Sequence, residues 1–142
     1  MISPRISHVD LAVGDLGRSL PFYKDLLGPI GWPHEREVTG ERGETIHYLT
    51  GEAVGSLGIR QAQTPAGGPY DRYSPGLHHI CFGVESREIV DERAAWLRDN
   101  AVEIESGPKE YDYQPGYYAV FFYDPDGIKL ELVHFARRQD AT

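Results

Sequence analysis

Residues 122–133 read FYDPDGIKLELV, an aromatic segment and an apolar segment joined by Asp124-Pro125-Asp126-Gly127. Proline at the second of these four positions and glycine at the fourth suit a type I turn. The flanking segments are rich in aromatic and branched apolar residues, which is typical of strands. The stretch therefore predicts a β-hairpin, and its pattern recurs earlier in the chain.

The chain repeats itself at a nearly constant offset. At an offset of 73, residues 45–50 align with 118–123 and residues 56–59 align with 129–132. At an offset of 71, residues 6–13 align with 77–84. Three similar segments in the same order indicate two copies of one structural unit, with a short insertion between the helix and the hairpin of the second copy.

Each copy also carries a segment with helical periodicity. In residues 18–27 the apolar side chains fall three, four and seven positions apart. Pro21 is tolerated in the first helical turn, which places the expected start near Arg18, and Gly28 is the expected stop. In the second copy the apolar stripe runs through residues 90–101, with Ser86 as the predicted N-cap.

These elements predict an α+β fold of two tandem βαβββ modules. We expect one domain over residues 1–142, with the first module at about 3–66, a linker at about 67–72 and the second module at about 73–136. The acidic stretch 35–44 is interpreted as a solvated loop.

The composition narrows the functional class. Lys and Arg number 14 against 22 Asp and Glu, so the formal net charge is −8, which argues against nucleic-acid binding and adsorption to anionic membranes. A single cysteine, Cys81, rules out an internal disulfide framework. No apolar stretch is long enough for a membrane span, and no signal-peptide core fits the first residues. We therefore expect a soluble cytoplasmic protein.

Three polar side chains in the predicted strands suggest a metal site. His8 and His79 occupy the same repeat position, and Glu131 is a charge within an otherwise apolar strand. Two imidazoles and one carboxylate leave open positions on Fe(II) or Mn(II) and suit a divalent metal that acts as a Lewis acid or activates O₂. The alternative is that both histidines are ordinary sheet residues and that Glu131 pairs with an arginine.

Other candidates surround these three residues. Asp10 and Cys81 share strand faces with the two histidines and are candidate substrate contacts. His47, on the predicted third strand, is a candidate acid or base, or else a partly buried sheet residue.

A tyrosine-rich segment, 111–118, contains proline and glycine and is interpreted as a loop that leads into the seventh strand. Tyr113 and Tyr118 are candidate substrate contacts that would stack on an aromatic small molecule. The alternative is that these rings simply pack on the edge of the sheet.

The sequence resembles the vicinal oxygen chelate superfamily, which includes glyoxalase I, methylmalonyl-CoA epimerase, extradiol dioxygenases, fosfomycin-modifying enzymes and bleomycin-resistance binding proteins. The matching stretches cover nearly the whole chain: HVDLAV at 8–13, FY at 22–23, LLG at 26–28, LHHICF at 77–82 and FYDPDGIKLELV at 122–133. The resemblance implies paired βαβββ modules that form a half-barrel around a metal.

The resemblance also implies a ligand set. Family ligands lie on the first, fourth, fifth and eighth strands, which correspond to His8, Gly58, His79 and Glu131. Because Gly58 has no side chain, the set departs from the four-ligand pattern of glyoxalase I and is similar to the three-ligand set of dioxygenases and fosfomycin-modifying enzymes.

The implied function is that of a divalent-metal-dependent enzyme acting on a small molecule with vicinal oxygens, with Fe, Mn, Ni or Zn as the cofactor. Dioxygenase, lyase and resistance chemistry all remain open, with Glu131 and His47 as the candidate catalytic residues. The resemblance also implies a homodimer, with the site in one chain or shared between two. The alternative function is sequestration of an antibiotic or metabolite without chemistry, as in bleomycin-resistance proteins.

Overall fold

The computed structural model describes residues 3–53 and 55–136, so the ends of the predicted 1–142 domain lie outside the described residues. The chain divides into two compact units, Met1–Gly68 and Pro69–Thr142. The first unit contains β1 (His8–Val13), α1 (Leu16–Leu27), a 3₁₀ turn (Gly28–Ile30), β2 (His34–Thr39), β3 (Thr45–Thr50) and β4 (Ser56–Gln61). The second contains β5 (Ile80–Gly83), α2 (Arg87–Asp99), β6 (Ile104–Tyr111), β7 (Tyr117–Tyr123) and β8 (Lys129–His134).

The two units have the same sheet topology. The strand orders are β1-β4-β3-β2 and β5-β8-β7-β6. In each sheet the first pair is parallel and the other two pairs are antiparallel. The prediction of an α+β fold with two βαβββ modules is confirmed.

Apolar residues on one face of each sheet pack against the helix of the same unit. In the first unit, Leu26 of α1 and Leu57 and Ile59 of β4 are fully or nearly fully buried. In the second unit, Leu97 of α2 and Leu130 of β8 are fully buried. Because strand side chains alternate, the residues between these apolar positions lie on the opposite side of the sheet, which we call the non-helix face.

The β7–β8 hairpin forms as its sequence predicts. The amide of Gly127 donates to the carbonyl of Asp124 at 3.0 Å, which closes the turn. Asp124 is buried, and its Oδ1 accepts from the amides of Asp126 and Ile128 at 2.8 Å each. The turn thereby fixes which residues of the two strands are paired.

The helix boundaries differ in part from the expectation. The side chain of Ser86 accepts from the amide of Ile89 at 3.2 Å, which confirms the predicted N-cap of α2. In the first unit, α1 begins at Leu16, so Pro21 lies inside the helix and not in its first turn. Proline at this position removes one hydrogen bond to the preceding turn, a cost that burial of the apolar face of α1 must offset.

The predicted stop of α1 is confirmed, because the helix ends at Leu27 and Gly28 is its C-cap, but the chain does not reverse at Gly28. Gly28 is helical, with φ of −55°, and the chain continues into the 3₁₀ turn before it reverses at Gly31, where φ is +125°. Proline at position 29 suits the start of this turn. The glycine that the backbone requires is therefore Gly31.

The interpretation of residues 35–44 as a loop was wrong for its first half. Residues 34–39 form β2, which pairs with β3 from His34↔Thr50 to Thr39↔Thr45. β2 is an edge strand whose side chains are mostly exposed, so it carries no apolar alternation that would reveal it. Among the described residues, no helix is both long enough and apolar enough to span a membrane.

Candidate metal centre

Glu131 is a buried carboxylate at the middle of the second sheet. It lies on β8 between Cys81 of β5 and Phe121 of β7, and only 2% of its surface is exposed. Its Oε2 accepts from the hydroxyl of Tyr117 at 2.5 Å and from the thiol of Cys81 at 2.8 Å. Both donors are neutral, so neither supplies a positive charge to balance a carboxylate.

His79 faces the other oxygen of this carboxylate. Its Nε2 lies 4.0 Å from Oε1 of Glu131, which is too long for a hydrogen bond. Its Nδ1 lies 2.8 Å from Nδ1 of His78. In the tautomer in which His79 donates this hydrogen bond, its Nε2 carries the lone pair that a metal requires.

The two donor atoms fit a divalent ion. Ligand atoms about 2.1 Å from one ion are about 3.0–3.4 Å apart in octahedral or tetrahedral geometry. His79 Nε2 and Glu131 Oε1 lie 4.0 Å apart, so a side-chain movement of less than about 1 Å would let them share a metal. Burial lowers the pKa of the His79 imidazole; the charge of Glu131 opposes this shift, and the positive charges of Lys129 and Arg72 add to it. A neutral imidazole is the form that binds metals.

The two donors to Glu131 are held in their protonated forms. Desolvation, followed by the hydrogen bond to Glu131, raises the pKa of both the Tyr117 hydroxyl and the Cys81 thiol well above their usual ranges. Although part of Cys81 is exposed, its sulfur points at the buried carboxylate. Cys81 is therefore a hydrogen-bond donor here and not a thiolate nucleophile.

The alternative pairing of Glu131 with an arginine is wrong for the part of the chain that the structure describes. The only ion-pair geometry found for Glu131 within residues 3–53 and 55–136 is the one with His79. A buried carboxylate that lacks a cationic side chain is unusual unless it binds a cation.

Strand alternation divides the predicted tyrosines between two faces. Tyr118 lies on the helix side, where its hydroxyl donates to Asp91 of α2 at 2.5 Å. Its neighbour Tyr117, which the sequence analysis did not single out, lies on the non-helix face against Glu131. Tyr117 was missed because the predicted seventh strand began at Tyr118. With the strand begun one residue earlier, strand alternation would have placed Tyr117 on the same face as Phe121.

Tyr113 belongs to a cluster of aromatic rings beside Tyr117. It stacks on Tyr111 at 5.5 Å, and Tyr117 stacks on Phe135 at 5.7 Å. Tyr113 is 69% exposed, so much of its ring is available to a ligand. A concavity of about 670 Å³ adjoins this end of the sheet, lined by Gly83, Val84, Glu85, Val133, His134, Phe135 and Ala136.

The first unit carries an ion pair at the corresponding place. Oδ2 of Asp10 accepts from Tyr48 at 3.1 Å and from Arg60, and Arg60 also binds Glu44 at 2.9 Å. Gly58 lies between Asp10 and Tyr48 in the sheet. A Cβ at Gly58 would be 2.5 Å from Oδ1 of Asp10 and 2.6 Å from Cε1 of Tyr48, so these two side chains occupy the space of a fourth ligand.

His8 begins β1 and is exposed. Its ring packs edge-on against Tyr48 at 5.6 Å between centroids, and its Nδ1 lies 3.3 Å from the hydroxyl of Ser7. His8 thus lies on the non-helix face of the first unit, on the same side of its sheet as Asp10.

His47 lies on the helix side of β3, because its neighbour Tyr48 faces the other way. Its Nδ1 lies 2.7 Å from Oε1 of Glu35 and 3.7 Å from Oε1 of Glu37. The other oxygen of Glu35 binds Lys24 of α1 at 2.9 Å. Glu35, Glu37 and His47 lie close enough together to bind a cation. Both oxygens of Glu35 already have partners, however, because Lys24 and His47 bind them.

Known proteins are similar to this chain in both sequence and fold. The profile of the Glyoxalase/Bleomycin resistance protein/Dioxygenase superfamily matches residues 5–132. The metallothiol transferase FosB of Staphylococcus epidermidis (strain ATCC 12228) is 30% identical over 128 residues, which are 89% of this chain and 79% of that protein. A Synechocystis protein named "Probable lactoylglutathione lyase" is 29% identical over 136 residues, which are 94% of this chain and 97% of that protein.

A solved structure extends the likeness to the whole architecture. The glyoxylase/bleomycin resistance protein/dioxygenase domain from Frankia sp. EAN1pec is 25% identical, with a TM-score of 0.76, over 95% of this chain and 100% of that one. On the profile match and the shared fold, the chain belongs to the Glyoxalase/Bleomycin resistance protein/Dioxygenase superfamily, in agreement with the resemblance seen in its sequence.

Proposed function

We propose that this protein is a divalent-metal-dependent enzyme that acts on a small molecule with vicinal oxygens. The observation that carries the proposal is the state of Glu131. One of its oxygens is held by Tyr117 and Cys81, and the other faces His79 Nε2 at 4.0 Å. The Glu131 carboxylate is buried, its hydrogen-bond donors are neutral, and the His79 imidazole lies opposite its free oxygen. This combination of ligand groups is suited to a divalent cation.

The chain's own residues would orient this metal. Glu131 would bind through Oε1 alone, because Oε2 is engaged by two donors. His79 would bind through Nε2 while His78 holds the rest of its ring. His8 remains the predicted third ligand, a prediction that rests only on the repeat position it shares with His79 and on the resemblance to the family. When bound, the metal supplies a Lewis acid that polarises the oxygens of the substrate.

The names of the relatives favour transferase or lyase chemistry over O₂ chemistry. One relative is named a metallothiol transferase and another a lactoylglutathione lyase. The glycine at position 58 supports the transferase class, because a fourth side-chain ligand is not present on β4. Tyr118 and His47 are left out of the proposed site, since both lie on helix sides of their sheets. A homodimer remains a prediction.

The test is the metal content of protein purified without a metal-affinity tag. Wild type, Glu131→Gln and His79→Ala would be compared by mass spectrometry after dialysis against Zn²⁺ or Mn²⁺. We expect about one ion per site in wild type and a loss of at least tenfold in either variant. Glutamine preserves the shape of residue 131, so the fold is expected to survive, as circular dichroism would check.

The matched control is Glu37→Gln, which removes a carboxylate from the group of Glu35, Glu37 and His47. It should leave the metal content unchanged. Loss of metal in this control, together with retention in Glu131→Gln, would move the metal to β2 and β3 and refute the proposal.

The aromatic cluster supports a second candidate function, which is sequestration of a flat ligand without chemistry. Tyr113 offers an exposed ring next to the stacked pair of Tyr117 and Phe135. Aromatic rings bind flat apolar ligands by stacking. Recovery of an unchanged aromatic ligand from a complex, combined with no retained metal, would favour this function over the enzyme.

A further inference from the structure

Two cations share one carboxylate on the non-helix face of the second sheet. Arg72 Nη1 lies 3.2 Å from Oε2 of Glu105, and Lys129 Nζ lies 3.0 Å from Oε1 of the same residue. Tyr123 also donates to Glu105. Both carboxylate oxygens are thus occupied, and the group keeps one positive charge in excess.

This excess charge lies beside the proposed metal ligands. Lys129 precedes Glu131 by two residues on the same face of β8, a separation of roughly 7 Å along the strand. Ile80 pairs with Leu130, so the residue before Ile80, His79, is the neighbour of Lys129 across the strands. The Lys129 ammonium lies 4.7 Å from the ring centroid of Phe121, and that ring also packs near His79, at 6.4 Å.

The cations are shielded from water, which strengthens their interactions with a nearby charge. The side chains of Lys129 and Arg72 are 12% and 22% exposed. Nε of Arg72 is buried and has no hydrogen-bond partner within the part of the chain that the structure describes. Arg72 also donates to the hydroxyls of Tyr123 at 3.0 Å and Tyr73 at 3.3 Å. These partners are neutral, so Glu105 supplies one negative charge for two partly buried cations.

We propose that the substrate is an anion and that Lys129 and Arg72 receive its negatively charged group beside the metal ligands. This inference rests on the proposed function for the position of the vicinal oxygens. A divalent metal would add to the local positive charge, since Glu131 compensates only one of its two charges. The chain as a whole has a net charge of −8, whereas this part of the second unit places two cations on one carboxylate, an arrangement that favours an anion locally.

The experiment uses two probes that differ by one negative charge. These are 3,4-dihydroxybenzoate and its methyl ester, both of which present vicinal oxygens and an aromatic ring. Their affinities for the full chain, with and without Zn²⁺, would be measured by titration calorimetry. We expect wild type to bind the acid about tenfold more tightly than the ester, which is about 1.4 kcal/mol.

Three variants test whether Lys129 causes the tighter binding of the acid than of the ester. Lys129→Met should lose most of the tenfold difference by weakening the acid only, and Lys129→Arg should retain it. Arg87→Met is the matched control, because Arg87 lies over the ring of Tyr118 at 4.9 Å, on the helix side of the same sheet. It removes the same charge and should leave the preference intact.

The outcomes separate this inference from the proposed function. Retention of Zn²⁺ with no acid preference, or with neither probe bound, would overturn the anion subsite and leave the metal site standing. A preference for the acid that depends on Lys129 in protein that retains no metal would support the anion subsite and overturn the metal-dependent enzyme.

Discussion

The two units have one scaffold and opposite charge arrangements at its centre. In the first sheet Gly58 lies between Asp10 and Tyr48, and in the second sheet Glu131 lies between Cys81 and Phe121. At the repeat offsets of 71 and 73, Asp10 corresponds to Cys81 and Gly58 to Glu131. The acid of the first unit therefore lies on the first strand of its module, whereas the acid of the second unit lies on the fourth strand of its own module.

The difference in partners decides what each acid can do. Asp10 has a cationic partner within its unit, Arg60, which it shares with Glu44. Glu131 binds only the neutral donors Tyr117 and Cys81 through Oε2. A carboxylate on this scaffold therefore becomes a candidate metal ligand because it lacks a cationic partner, more than because of its place in the fold.

The largest effect on stability is expected from Gly58→Ala. This substitution places a side chain in the first sheet at the position that Glu131 occupies in the second sheet. The new Cβ would meet Asp10 and Tyr48 at 2.5 and 2.6 Å. Because Asp10 is tied to Arg60 and Tyr48, neither neighbour can move freely. We expect a loss of about 1–3 kcal/mol in the free energy of unfolding, measured with urea.

The control for this substitution is Gly67→Ala, since a Cβ at Gly67 would have no atom within 4 Å. Its effect should stay within about 0.5 kcal/mol. Equal stability of Gly58→Ala and wild type would show that the first sheet can accept a side chain at this position.

A smaller effect is expected from Tyr117→Phe, which removes one donor from Oε2 of Glu131. We expect the dissociation constant for Zn²⁺ to rise by about 10–100-fold, because partners of a ligand hold it in its binding orientation. Tyr118→Phe is the adjacent control and should bind Zn²⁺ like wild type, since its hydroxyl faces Asp91. Equal weakening in both variants would point to general loosening of β7.

The smallest effect concerns Glu35, a carboxylate that does have charged partners. The hydrogen bond from Lys24, followed by that from His47, lowers the pKa of Glu35 below its ordinary value of 4.5. A lowered pKa in the folded state stabilises the protein above the unfolded value, and this contribution is lost as the pH falls through the folded value.

Wild type should therefore be more stable than Glu35→Gln at pH 7, and the difference should shrink below pH 4.5. Urea unfolding of both proteins across this range would measure it. A difference that is constant with pH would contradict the assignment of Lys24 and His47 as the partners of Glu35.

The sequence was sufficient for the scaffold, because apolar residues recur where the sheets face their helices. The offsets of 71 and 73 aligned strands that proved to have the same topology, and Ser86 proved to cap α2. The edge strand β2 was missed since its HEREVT sequence is mostly solvent-exposed. The start of α1 was placed two residues too late, because the expectation put Pro21 in the first turn and the structure has it inside the helix, where proline is normally disfavoured.

The partners of the candidate site residues were harder to predict. The pairing of His47 with Glu35 depends on the register of β2, a strand that the sequence did not reveal. The contact of Tyr117 with Glu131 requires β7 to include Tyr117. Adjacent residues of a strand point to opposite faces, so the choice of Tyr118 instead of Tyr117 selected the helix side of the sheet. His8, His79 and Glu131 remain predictions as a complete ligand set.

The turn at Asp124–Gly127 has a consequence for how the gene can change in length. Its hydrogen bonds from Asp126 and Ile128 to one carboxylate oxygen set the register of β8. A one-residue insertion there would rotate Glu131 into the helix side and bring Leu130 and Leu132 outward. Insertions and deletions among homologous genes should therefore accumulate in the loop 112–116 and be purged from 124–127.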